Sequence, residues 1–144
     1  MQSGAFEHVG DGAYDAIGSE VEVMPNAALA KQDVAIAKSK RGRRCLIAEL
    51  NATQPPGVGF VSAKITTLSP GIPGGLAMRI KLVAESQGVR FPFWTDLFLI
   101  RQRNVEAATI FLSSPSTHDR ADEDKYVNIV QTRLNAALNP NTIL

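Results

Sequence analysis

The sequence predicts an α+β fold: a twisted antiparallel β-sheet, built as a meander of about four strands plus an N-terminal strand, packed with helices. Three observations predict it. Residues 59–114 fall into four runs of strand-like apolar patterning. The turns between those runs are only a few residues long, which joins neighbouring strands antiparallel. Stretches with helical apolar spacing flank the block on both sides, as a sheet with packed helices requires.

Taken in order, residues 1–15 are Gly-rich and weakly patterned, and read as a loose arm ahead of a single domain over residues 16–140. IGSEVEVM (17–24) alternates as a strand, and Pro25 closes it. Asn26 is placed to cap a helix over AALAKQDVAIAKS, with Ala27, Ala30, Val34 and Ala37 as a small-residue stripe. KSKRGRR breaks that pattern at Gly42. The basic residues Lys38, Lys40, Arg41, Arg43 and Arg44 then read as a solvated loop at a helix C-terminus, where the dipole favours cations. A short helix resumes in RRCLIAELNAT, with Leu46 and Leu50 one turn apart and Ile47 beside them, and QPPGVG ends it.

GFVSAKITTLS (59–69) sets Val61, Ala63, Ile65 and Thr67 on one side, and PGIPGG (70–75) turns the chain. LAMRIKLVAES (76–86) sends Leu76, Met78, Ile80 and Leu82 to one face and Ala77, Arg79, Lys81 and Val83 to the other. QG (87–88) is a tight hairpin connection into VRFPFWTDLFLIRQ; RN is the next turn, and VEAATIFLSS (105–114) the last strand. The closing helix takes Ser116 or Asp119 as its cap and holds Asp122, Glu123 and Asp124 in its first turn. Tyr126, Val127, Val130, Leu134, Ala137 and Leu138 form its apolar stripe, and Asn139-Pro140 stops it.

The totals narrow the function. The chain has 144 residues, 44% of them hydrophobic and 20% charged, which suits one globular domain. A net charge of +1 argues against a dedicated nucleic-acid binder. The lone Cys45 excludes an internal disulfide, and beside Leu46 on an apolar helix it reads as a buried, inert thiol. The first twenty residues lack the basic start and apolar run of a signal peptide. No dinucleotide fingerprint, phosphate loop or Gly-x-Ser-x-Gly motif is present, and His8 and His118 share no metal-ligand spacing, so neither an enzyme nor a cofactor is expected. HDRADED (118–124) lacks the glycine of a calcium loop and reads as helix capping.

FPFWTDLFLIR (91–101) is the informative stretch. Phe91, Phe93, Thr95, Leu97 and Leu99 point one way, and Pro92, Trp94, Asp96, Phe98 and Ile100 the other, so both faces are apolar and both need cover. Helices, a second subunit or an apolar ligand would each supply it. Asp96, between Trp94 and Phe98 on one face, must pair or take up a proton; Arg79 from the neighbouring strand, or Arg101, can reach it. Such a pair is more often structural than catalytic.

The start ending in RRCL, the block PGIPGGLAMRIKLVAESQGVRFPFWTDLFLIRQRNVEAATIFLSS and the closing YVNIVQTRLNAAL together resemble small secreted lipoproteins and extracytoplasmic sensor-like domains of actinobacteria, whose fold is PsbP-like. The likeness lies in the Asp ahead of alternating apolar residues in TDLFLIR, the turn into RNVEAATIFLSS and the terminal RL helix. It spans residues 17–138 as a pattern and implies an exported, envelope-associated protein without catalytic machinery. The chain departs from it in showing neither a signal peptide nor a lipobox cysteine.

The resulting expectation is a non-enzymatic binding or sensing module of the cell envelope that buries an apolar ligand or partner segment against the sheet. Its candidate contacts are Arg79, Phe93, Trp94, Asp96, Phe98, Ile110 and Phe111, with the proviso that one face alone can be the site. The expected partners are a lipid-like small molecule or an envelope protein and no nucleic acid, with the basic stretch near a membrane surface. The rival expectation is a structural protein that homodimerises through the apolar second face.

Overall fold

Helices flank the two-faced strand on both sides. In a computed structural model, described at residues 6–10, 13–52, 59–68, 72–114, 116–117 and 119–139, the elements run β1 (Phe6–Gly10), β2 (Ala13–Val23), α1 (Ala27–Lys38), α2 (Lys40–Ala52), β3 (Gly59–Thr67), β4 (Leu76–Ser86), β5 (Val89–Gln102), β6 (Val105–Ser114) and α3 (Arg120–Leu138). The fold is α+β, as the patterning predicts. The sheet order is β1-β2-β6-β5-β4-β3, and every neighbouring pair is antiparallel. Because β2 pairs with β6 while β3 lies on the far edge, the connection through α1 and α2 carries the chain across the sheet.

Three sequence expectations need correction. The arm over residues 1–15 is not wholly loose: Phe6–Gly10 is an edge strand paired with β2, and β2 itself begins at Ala13. The basic segment is not a loop broken at Gly42. The break falls at Ser39, whose hydroxyl donates to the Ile36 carbonyl at 2.6 Å and accepts from the Gly42 amide at 3.0 Å, so one side chain serves both helix ends. Lys40, Arg41, Arg43 and Arg44 therefore open α2 instead of closing α1. Gly42 is needed for packing at that corner, since a Cβ there would lie 2.0 Å from the Ile36 carbonyl oxygen. Third, Cys45 is exposed, because it lies on the outer side of α2 from Leu46, Ile47 and Leu50.

The caps follow the sequence. Asn26 Oδ1 accepts from the Leu29 amide at 2.9 Å, and Asp119 Oδ1, not Ser116, accepts from the Ala121 amide at 2.8 Å. The β4–β5 connection is tight, with Gln87 and Gly88 both at positive φ (52° and 78°). At the β5–β6 turn, Arg103 Nη1 donates to the Leu138 carbonyl at 3.1 Å and Asn104 Nδ2 to the Met24 carbonyl at 2.9 Å. One turn thus ties the end of α3 to the end of β2.

Two cores result, one on each side of the sheet. Beneath α3, Ala77, Phe98, Ile100, Ala107 and Phe111 pack with Val127 and Leu134. Tyr126 and Ala137, expected on the same stripe, are exposed, though the Tyr126 ring still sits 6.1 Å from that of Phe111. On the other side Leu76, Met78, Ile80 and Leu82 pack with Leu46, Ile47 and Leu50 of α2. There α1 reaches β4, β5 and β6, and α2 rests on β3. Among the described residues no helix is long and apolar enough to cross a membrane.

Candidate functional site

Strand register decides which candidate residues meet. Arg79 on β4 stands opposite Asp96 on β5, and Asp96 stands opposite Phe111 on β6. Arg79, Trp94, Asp96, Phe98 and Phe111 therefore share the α3 face, while Phe93 points to the α1–α2 face. Arg101 is on the Phe93 side too, so of the two arginines that could reach Asp96 only Arg79 does.

On the α3 face the charges form a network of two arginines and three carboxyl groups. Arg79 Nε donates to Asp96 Oδ1 and Oδ2 at 2.7 and 3.0 Å, and its Nη2 makes a further contact with Oδ2. Glu123 of α3 completes the group: its Oε1 is 3.6 Å from Arg79 Nη2, and its Oε2 accepts from Arg120 Nη1 at 3.3 Å. The Arg120 guanidinium lies 4.8 Å from the Phe98 ring centroid and pairs with Asp124 at 2.9 Å. Glu123 is 0% exposed. Burial first, then the hydrogen bond and negative charge of Asp96, push its pKa up to about 8, against the pull of Arg79 and Arg120. The shift favours the uncharged carboxyl of Glu123 at neutral pH, and the bond to Asp96 in turn raises the Arg79 pKa.

This network is a seal. Asp96, Phe98 and Phe111 are buried beneath α3, with the two phenylalanine rings edge to face at 5.6 Å. Trp94 is half-buried, and Lys81 Nζ lies 5.3 Å from its ring centroid. A shallow cleft of about 260 Å³ lies beside the seal, between Pro73 and the α3 residues Arg120, Asp124 and Asn128.

The opposite face is less complete. Glu106 is buried under α1, and Glu106 and Arg101 are register partners. Burial, then the charge and hydrogen bond of Asp33 on α1, push the Glu106 pKa up to about 7, helped by Glu22 and opposed by Arg101. Farther along β5 and β6 the sheet has thinner cover. Phe91, Phe93, Thr95 and Leu112 are half-buried, with the Phe91 and Phe93 rings edge to face at 6.2 Å. Ile110 on the same face is 41% exposed, although β6 is an interior strand. Sequence reasoning placed Ile110 among the contacts but left Leu112 and Thr95 out of the site; the register Leu97↔Ile110 and Thr95↔Leu112 is what brings them together.

No protein-family model and no curated protein matches the chain. A solved structure of PA94 from Pseudomonas aeruginosa, a protein of unknown function, aligns with 93% of this chain and 81% of its own at 16% identity, with a TM-score of 0.32. A likeness that slight carries no argument about fold or function.

Proposed function

We propose that the protein is a non-enzymatic binding or sensing module that buries an apolar ligand or partner segment against the α1–α2 face of the sheet. One observation carries the reading: an interior strand leaves Ile110 nearly half exposed between its register partners Leu97 and Gly18 and beside Thr95 and Leu112, where an ordinary core would cover it. The contact set thus shifts away from Asp96, Phe98 and Phe111, whose face α3 already occupies, and keeps Phe93 and Ile110. The chemistry is burial of apolar surface, at roughly 25 cal/mol per Å² removed from water. A setting in the cell envelope rests on the resemblance to actinobacterial secreted lipoproteins.

The test is native mass spectrometry beside a denatured control, followed by titration with anilinonaphthalene sulfonate as an apolar probe. A monomer with a lipid-sized adduct that denaturation releases supports the reading, as does saturable dye binding that Ile110→Glu abolishes. A dimer without adduct that Ile110→Glu splits transfers the face to a second copy of the chain. A bare monomer that binds no dye overturns the proposal.

A further inference from the structure

The basic stretch gains a different meaning from its place in the fold. Four of its five cations fall within the first turns of α2, where the helix macrodipole opposes positive charge. None of Lys38, Lys40, Arg41, Arg43 or Arg44 forms an ion pair with a carboxylate among the described residues. Helix stability therefore gives no reason for the cluster.

Beside it lies a cleft of about 280 Å³, whose polar lining is Lys38, Arg43 and Thr67 and whose apolar lining includes Ile72, Leu76 and Ala77. Arg43 is held in place by a hydrogen bond from its Nη2 to Thr67 Oγ1 at 3.1 Å. Thr67, accepting there, keeps its own hydroxyl proton to donate. Arg43 Nε is shielded from solvent and has no hydrogen-bond partner among the described residues, although a buried donor ordinarily finds one. Among the described residues no carboxylate lines the cleft. Two cations and a free hydroxyl proton fit an oxyanion with several acceptor oxygens. At about 30 Å³ per water the space holds several waters, enough for a phosphate with a small organic substituent.

We propose that this cleft binds a phosphate group, with Arg43 and Lys38 as its cationic partners and Thr67 as a hydroxyl donor. Exposed Lys40, Arg41 and Arg44 stand outside the cleft lining and contribute long-range attraction, not contacts. The phosphate belongs either to a soluble phosphomonoester or to a phospholipid headgroup. The site is separate from Ile110 and Phe93, so it stands or falls independently of the apolar face.

The experiment is a titration of the full chain with glycerol 1-phosphate at low salt, followed by amide chemical shifts. Saturable shifts are expected at Thr67, Gly75 and Leu76. Arg43→Gln and Lys38→Gln should each weaken binding about tenfold, as loss of a charge-assisted contact does. Thr67→Val, a change at an exposed position that leaves the core untouched, should weaken it severalfold and keeps the test valid if Arg43→Gln fails to fold. The double variant Lys40→Gln/Arg41→Gln should change binding less than about twofold, beyond the loss of general attraction. A parallel arm compares sedimentation with phosphatidylcholine vesicles and with vesicles containing phosphatidylglycerol. Retention on the latter that Arg43→Gln abolishes identifies a headgroup, and glycerol phosphate binding without retention identifies a soluble ligand. Absent or unsaturable shifts, or equal weakening in the Lys40/Arg41 control, overturn the proposal.

Discussion

Arg79 and Asp96 are cross-strand partners on β4 and β5, and the Nε of Arg79 donates to both carboxylate oxygens of Asp96, at 2.7 and 3.0 Å. Strand register alone sets this pair, and α3 then closes over it with Glu123. Removing one partner leaves the other charge in a site built for two, which is more costly than never having had either. Asp96→Ala is expected to destabilise the fold by about 3 kcal/mol, at the low end for a broken buried pair because Arg79 keeps some contact with water. Urea unfolding would show a lower midpoint at unchanged slope. A shift within the error of the melt would make the pair a surface ornament.

Both helix layers sit on a carboxyl group whose pKa is raised, chiefly by burial. The ordinary value of 4.5 rises to about 8 for Glu123 under α3 and to about 7 for Glu106 under α1. Between the unfolded and folded values the native state binds protons that the unfolded chain has released, so stability falls as pH rises. The contribution is fully present below pH 4.5, and Glu106 loses its share by about 7 and Glu123 by about 8. The slope is at most about 1.4 kcal/mol per pH unit for each group. Glu123→Gln, which imitates the protonated form, should remove most of the slope between pH 7 and 8 and about half of it below 7, and Glu106→Gln should remove the other half below 7. Chemical denaturation across that range checks both. Stability that rises with pH would contradict the assignment.

Much of this is legible in the sequence. Arg79 could be matched to Asp96 because alternation places both on one face and the QG turn fixes the register between β4 and β5. The buried role of Glu123 was not read, since an acidic residue in a first helical turn is already accounted for by the dipole. A signal existed nonetheless: Glu123 precedes Val127, Val130 and Leu134 at spacings of four, three and four, so it lies on the apolar stripe. The exposure of Cys45 departs from the expectation because a short helix with three apolar residues, Leu46, Ile47 and Leu50, leaves the side taken by a flanking residue unfixed. The strand Phe6–Gly10 carries too many glycines nearby to stand out, and only its pairing with β2 defines it.

The corner between α1 and α2 has no slack. A Cβ at position 42 would sit 2.0 Å from the Ile36 carbonyl oxygen and 3.0 Å from the Ala37 Cα, and both are backbone atoms that cannot swing aside. Gly42→Ala is expected to cost about 1–3 kcal/mol through forced displacement, despite the better helix propensity of alanine. A thermal melt that shows stabilisation would mean that the two helices can separate freely at Ser39.

The β4–β5 turn makes the opposite prediction. Gln87 holds φ at 52°, a conformation that asparagine tolerates and glutamine does not favour. Its side chain is exposed, so Gln87→Asn changes the turn alone. A gain of about 0.5 kcal/mol is expected, read as a raised melting temperature, and a loss would show that the Gln87 side chain makes a contact that holds the turn.

The two faces of the sheet differ in what an apolar side chain is for, and truncation separates them. Phe98 is fully buried, packed on Phe111 and beneath the Arg120 guanidinium. Phe98→Ala should cost about 3–5 kcal/mol, as large cavities in cores do. Ile110 is an apolar residue on the neighbouring strand, one position from Phe111, yet it points to the thinly covered face. Ile110→Ala should cost well under half that amount, because much of the side chain is already in water. Measured in one set of urea melts, the pair gives an internal scale. If Ile110→Ala proves as damaging as Phe98→Ala, Ile110 is core, the opening beside it closes in solution, and the apolar face has no room for a ligand. If it is mild while Ile110→Glu still folds and loses dye binding, then Ile110 is held on that face for what it binds and not for the fold.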